Sequence, residues 1–237
     1  MSNDSAAEKT VGNPRGADEI PVDQFAKVGV GEYYGQQRGE ILERVPRTTK
    51  RLLDVGCANG AFGKTVKDSL GAEVWGIEIL APAAEVAATR LDRVLNTDAN
   101  AALAQLPLQH FDCITFNDVL EHLVDPGALL RDIKKHVAPG GVLVASIPNV
   151  RQYQVLFDLA VKGNFDYADS GILDRTHLRF FTLKSIRKFF DSAGYRIVSV
   201  EGINGPHSRF GRVVGKLLPP GLSDLQYIQF VVVARPV

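Results

Sequence analysis

Methionine and tryptophan each occur once in this 237-residue chain, and cysteine only twice. Cys57 and Cys113 lie in apolar, strand-like surroundings with no Cys-x-x-Cys partner. That excludes a disulfide scaffold and a zinc ribbon, and two buried thiols in a reducing compartment are expected. Charge of one sign is also lacking, because 27 Lys and Arg face 27 Asp and Glu. A surface built as a whole for nucleic acid or acidic lipid is therefore excluded, although a local basic patch is not. No run reaches the roughly 18 apolar residues of a membrane span. The opening MSNDSAAEKTVGNPRGADEIP holds no apolar core of a signal peptide. The expected location is the cytoplasm, with no integral membrane segment. What the chain does have is an ordinary globular composition, 45% hydrophobic. It is long enough to bury roughly 70% of its unfolded surface without a disulfide or a metal.

Residues 1–26 are rich in Ser, Asn, Asp, Gly and Pro and show no period, which predicts a disordered tail. Residues 27–237 then alternate short apolar runs with helix-like stretches. Strands are expected at 51–55, 73–78, 93–97, 111–116 and 142–147, with helices at 60–70, 82–90 and 127–137 between them. Pro139-Gly140-Gly141 reads as a turn before the fifth strand. This rhythm predicts an α/β, Rossmann-like sheet of seven mostly parallel strands with helices on both faces. Residues 149–181 break the rhythm with mixed aromatic and polar residues and read as a substrate-cap insert. Thr182 then caps a helix that Gly194 ends, followed by strands at 196–200 and 229–235. The long connection between these two strands predicts an antiparallel last strand in a hairpin-like edge.

The most informative stretch is Leu53-Asp54-Val55-Gly56-Cys57-Ala58-Asn59-Gly60-Ala61-Phe62-Gly63. A strand ends, a glycine-containing loop turns, and a helix begins, at the place where open parallel sheets bind ligands. The spacing Gly56-x-x-x-Gly60-x-x-Gly63 is not the dinucleotide fingerprint GxGxxG. Gly63-Lys64-Thr65 mimics the end of a P-loop, but the first glycine of that motif would fall on Ala58. The loop is poorly suited to phosphates. Glu78 ends the second strand, where a carboxylate can accept both hydroxyls of a ribose, and Asp98 ends the third, where it can accept an adenine amine. The order suits an adenosine without phosphate.

On these residues the chain resembles the class I S-adenosylmethionine-dependent methyltransferases. LLDVGCANGAFG is similar to their first motif, GIEI to the acidic second-strand motif, and FDCITFNDVLEHLVDP to the fourth-strand region. The resemblance spans roughly 33–148 and implies S-adenosylmethionine as cofactor. By it, Asp54, Gly56, Ala58 and Gly60 shape the methionine pocket. Glu78 holds the ribose, Asp98 the adenine, and Asn117 faces the methionine end or the substrate. Cys57, Ile79, Ala99 and Asp118 complete the contact set, and Tyr33, Tyr34 and Arg38 close over the cofactor. Glu78 and Asp98 could instead serve only as helix caps.

Transfer to a hydroxyl needs a base, and His122, Glu121, Asp118 and His177 are the candidates, with His122 and His177 preferred. Each histidine could instead merely brace its loop. The segment LDRTHLRFFT with Leu-Glu-His-Leu resembles a bacterial subset that acts on small molecules, surface-polysaccharide sugars or quinone precursors. A small-molecule or glycan acceptor is therefore expected, methylated on oxygen. Asp118-x-x-Glu121-His122 with His177 also resembles the metal-ligand spacing of small-RNA 2′-O-methyltransferases. Its first position here is Asp rather than Glu, and no metal is expected. The rivals are a nicotinamide-dependent dehydrogenase, opposed by Ala58, an N-methyltransferase, and a SAM-binding protein without turnover. A nucleic-acid acceptor is disfavoured by the neutral charge and by Phe116-Asn117-Asp118-Val119 where (Asp/Asn)-Pro-Pro-(Tyr/Phe) would stand. The basic, apolar run Phe210–Leu218 is a candidate pocket cover, membrane contact or homodimer face, with ordinary packing the first expectation.

Overall fold

The computed structural model describes residues 38–205, 219 and 221–237. Tyr33, Tyr34, the N-terminal tail and the whole 210–218 run lie outside the described residues.

After a short helix α1 (Gly39–Leu42), the chain builds β1 (Arg51–Val55), α2 (Ala61–Leu70), β2 (Glu73–Glu78), α3 (Ala81–Ala88) and β3 (Arg93–Asn96). The short α4 (Ala99–Ala102), β4 (Phe111–Asn117), α5 (Pro126–Ile133), β5 (Val137–Pro148) and α6 (Tyr153–Lys162) follow. The chain ends with α7 (Leu183–Ser192), β6 (Tyr195–Ile203) and β7 (Gln229–Pro236). The seven strands form one sheet in the order β3-β2-β1-β4-β5-β7-β6. The first five pair in parallel, and β7 runs antiparallel to both β5 and β6.

Strand side chains alternate between two cores. Leu53, Val55, Ile114 and Phe116 pack on one face with Leu130 of α5 and Ile186 and Phe190 of α7. Leu52, Cys113, Val142 and Val144 pack on the other with Val66 of α2 and Ala87 of α3. Neighbouring residues thus belong to opposite layers, which is why the strands read as unbroken apolar runs.

Two elements differ from the sequence reading. β3 stops at Asn96, whose side-chain amide donates to the Glu78 and Ile79 carbonyls (2.8 and 3.2 Å) and turns Thr97 out of the ladder. Pro139-Gly140-Gly141 is not a turn before β5 but an irregularity inside it: pairing steps from Phe111↔Val137 to Cys113↔Val142, with Gly140 at φ 80°. As expected, the two late strands form an antiparallel pair at one edge of the sheet. β7 wedges between β5 and β6, so the long connection crosses to an interior position and β6 is left as the edge strand.

The region 149–181 is closed at its base. Asn149 bridges Phe181, and the Val150 amide donates to the Phe181 carbonyl at 2.9 Å. Its helix α6 buries no residue, whereas α7 begins with a reciprocal Thr182–Ser185 capping box and buries Ile186 and Phe190. Among the described residues, no helix is long and apolar enough to cross a membrane.

Candidate active site

The loop after β1 is held by its own neighbours. The Gly56 and Cys57 amides donate to the Ile77 carbonyl (2.8 and 3.0 Å), and the Gly60 amide donates to the Cys57 carbonyl (2.8 Å). The Ala58 amide donates to Glu78 Oε2 (2.8 Å), and that of Ala61 to Asn59 Oδ1 (3.1 Å). A phosphate cradle depends on amides that point at the ligand. Here those amides are already bonded, so the loop offers shape rather than donors. Gly56, Ala58 and Gly60 all have positive φ (70°, 49° and 76°). A Cβ on Gly56 would lie 2.5 Å from Val119 Cγ2.

The loop opens into a cavity of about 650 Å³ over the carboxyl ends of β1, β2, β3 and β4. Its wall includes Arg38, Asp54, Gly56, Cys57, Ala58, Glu78, Ile79, Asp98, Ala99, Asn117 and Asp118. Gly60 is not on that wall; as the N-cap of α2 it packs against Ala87 and Leu91. The Glu78 oxygens accept from the Ala58 amide and from the Leu80 amide (2.9 Å), which leaves a second lone pair on each. Burial raises its pKa. Asp98 does cap α4: Oδ1 accepts from the Asn100 and Ala101 amides (2.9 and 3.1 Å), while Oδ2 is uncommitted among the described residues.

Asp54 is deeper and fully buried. Its Oδ1 accepts from Thr115 Oγ1 (2.8 Å) and Asn117 Nδ2 (3.2 Å). Burial pushes its carboxyl up to about 7, with nearby Glu78 adding to the shift and the Thr115 hydrogen bond opposing it. Asn117 Oδ1 is buried with no hydrogen-bond partner among the described residues. Two carboxyls and an unsatisfied carbonyl oxygen make this end of the cavity fit for a cation and hostile to an anion.

Asp118, in the left-handed region at φ 54°, carries three side-chain contacts. It pairs with Arg38, accepts from Ser146 Oγ (2.6 Å) and accepts from Gln229 Nε2 (2.9 Å). These contacts hold the carboxylate in place and disfavour it as a base. Arg38 and Asp118 also line a smaller cavity of about 180 Å³ with Glu40, Ile172, His177, Asn204 and Gln229, so the pair forms the partition between the two spaces.

His122 reaches the large cavity and His177 the small one. The two rings meet edge to face, with centroids 4.7 Å apart. Glu121 lies behind them, its two carboxyl oxygens buried with no hydrogen-bond partner among the described residues and 3.9 Å from His177 Nε2 at the nearest. Burial, with Asp118 nearby, holds the Glu121 carboxyl well above its ordinary range. Burial, then His177, depresses the His122 imidazole, so it is neutral near pH 7. Ligand atoms of Glu121, His122 and His177 all lie within 4.8 Å of one another. The segment carrying His177 is tied to this turn, because the Leu178 and Arg179 amides both donate to the Glu121 carbonyl (2.8 and 3.0 Å).

Sequence reasoning missed Thr97 and Asn100, which flank Asp98 on the cavity wall, and Val119, Leu123, Val124 and Asp125 after β4. Their positions just past predicted strand ends were the available signal. Asp174 and Thr176 lie in the LDRTHLRFFT segment but were not assigned a role, and Ser146 and Gln229 carried no signal, because long-range folding alone brings them to the site.

A family model described as a methyltransferase domain matches residues 31–200. A ubiquinone biosynthesis O-methyltransferase of Burkholderia pseudomallei is 29% identical over 168 residues, covering 65% of this chain and 68% of that protein. The protein of the same name from Coxiella burnetii is 26% identical over 177 residues, covering 69% and 71%. A SAM-dependent methyltransferase from Archaeoglobus fulgidus superposes with a TM-score of 0.61 at 19% identity, covering 86% of this chain and 99% of that one. With one family model spanning most of its length, the chain belongs to the methyltransferase-domain family, and its Rossmann-like sheet is the fold of SAM-dependent methyltransferases.

Proposed function

We propose that this SAM-dependent methyltransferase O-methylates a small hydroxylated acceptor: a sugar, a polysaccharide precursor or a phenol-like ring such as a quinone precursor. The observation that carries the reading is one continuous cavity whose wall runs from the 56–58 loop, Glu78 and Asp98 to a neutral His122. The O-methyltransferase names of the relatives support it.

In this reading the remaining lone pairs of Glu78 accept the ribose hydroxyls, and Asp98 Oδ2 accepts the adenine amine, with Ile79 and Ala99 beside the base. Asn117 Oδ1 and Asp54 face the methionine ammonium, and Arg38 borders the same end. When bound, S-adenosylmethionine supplies a methyl group already activated by its sulfonium. With the cofactor bound, His122 would take the hydroxyl proton as the acceptor oxygen receives the methyl group. Residues 149–181 cap the acceptor side, since they supply Asp174, Thr176 and His177 to the two cavities. The buried, unpaired thiols of Cys57 and Cys113 support a cytoplasmic setting.

The test uses methyl-tritiated SAM with a panel of catechols, nucleotide sugars and primary amines. His122→Ala should lower kcat about a hundredfold or more while S-adenosylhomocysteine binds as before. Full activity in a His122→Ala/His177→Ala double variant overturns the base assignment, and label appearing only in the amines overturns the hydroxyl acceptor.

One observation favours a second reading. The buried, unpartnered oxygens of Glu121 beside two imidazoles are a donor set that fits a divalent cation. Such an ion would polarise the acceptor hydroxyl, without Asp118, which Arg38, Ser146 and Gln229 hold. Activity lost to a chelator and restored by Mg²⁺ or Mn²⁺ would favour the ion; activity unchanged after exhaustive chelation would remove it.

A further inference from the structure

We infer that Asp174 and Thr176 are positioning residues that lock His122 in its Nδ1–H tautomer, so that Nε2 is the nitrogen that works on the acceptor. The catalytic half of this inference rests on the proposed function of His122; the tautomer is argued from the hydrogen bonds at Nδ1.

His122 Nδ1 lies 3.2 Å from the Thr176 carbonyl oxygen and 3.1 Å from Thr176 Oγ1. A carbonyl can only accept. The hydroxyl could serve either way, but its single proton is committed: Thr176 Oγ1 donates to Asp174 Oδ1 at 2.7 Å. Asp174 Oδ1 also accepts the Thr176 amide at 2.8 Å, which fixes the turn that aims the hydroxyl. Nδ1 therefore faces two acceptors and satisfies both only as an N–H. Asp174 and Thr176 are 4% and 5% exposed, so water does not compete for these bonds.

The arrangement has the logic of a base oriented by a third group, with a hydroxyl interposed between carboxyl and imidazole. It crosses the fold: His122 follows β4, whereas Asp174 and Thr176 lie in the 149–181 region. Both also line the large cavity, so the orienting groups sit beside the space where the acceptor is proposed to react. His177 is oriented in a similar way by one acceptor, its Nδ1 lying 3.0 Å from the Ile172 carbonyl. Whether Nε2 of His122 takes a proton or holds a cation, the same tautomer is required, as in the outer-shell orientation of metal-binding histidines.

The test is ¹⁵N–¹H correlation spectroscopy on full-length protein labelled at histidine, with the His122 signals assigned by their loss in His122→Gln. Wild type should show His122 as Nδ1–H. Thr176→Val should mix in the Nε2–H form and lower kcat about 10- to 100-fold, with KM for SAM unchanged. Thr176→Ser should restore both the spectrum and the rate. An Nε2–H tautomer in the wild type overturns the lock, and a Thr176→Val spectrum identical to the wild type overturns the positioning role of the Thr176 hydroxyl and Asp174, leaving the tautomer to the Thr176 carbonyl. A locked tautomer together with full turnover in His122→Ala supports the lock and overturns the proposed role of His122 instead.

Discussion

Asp54 is the residue whose surroundings differ most from what its position in the sequence suggests. The motif marks it as a cofactor residue, but only the structure shows it buried against Thr115 and Asn117 and near Glu78. Its carboxyl is raised from 3.8 to about 7, so the folded chain holds a proton there that the unfolded chain has released. Its contribution to stability therefore falls as pH rises between those two values. A cation at this site favours the carboxylate and reverses the balance. S-adenosylmethionine should bind more tightly as pH rises through about 7, with release of up to one proton. Calorimetry in buffers of different ionisation enthalpy reads this directly; binding without proton exchange from pH 6 to 8 would show that the cation does not sit at Asp54. Gly56 is constrained on two counts, by φ of 70° and by Val119 at 2.5 Å from the missing Cβ. Gly56→Ala should push the loop into the cavity and abolish S-adenosylhomocysteine binding in an equilibrium assay, with a lowered melting temperature.

Among the elements, the two C-terminal helices contrast most. Helix α7 carries a complete capping box and buries Ile186 and Phe190, so Thr182→Ala should cost about 1 kcal/mol in a urea unfolding titration. Helix α6 buries nothing, and Leu159 and Val161 are exposed. Val161→Ser should change stability by less than about 0.5 kcal/mol in the same titration; a larger loss would mean that α6 has a partner. The same contrast explains what was legible. The boundaries of α7 could be read from Thr182 and Gly194 because capping is local chemistry. The run from Pro139 to Gly141 was read as a turn because glycine and proline signal a break, but only pairing with β4 shows that the break lies inside a strand.

For the whole molecule, the sheet order puts the ends of β1, β2, β3 and β4 side by side, and the ligand proposed to cross them would contact all four. Such binding should stabilise the fold as a unit. S-adenosylhomocysteine at one hundred times its Kd should add about 2.7 kcal/mol, seen as a melting transition raised by roughly 5–10 °C. An unmoved transition at that concentration would contradict the assignment of the cavity to this ligand.

The sequence by itself determined the parallel half of the sheet, the loop at residues 56–60 and the carboxylates at 78 and 98, because each follows from local periodicity or from a turn between adjacent elements. Tertiary structure alone decided the rest. It put β7 between β5 and β6, set Arg38, Ser146 and Gln229 around Asp118, and laid Thr176 against His122. These partners lie 28 to 111 residues apart in the chain. Contacts over such separations leave no periodic trace in composition, and only the packing of the sheet brings the groups within hydrogen-bonding reach.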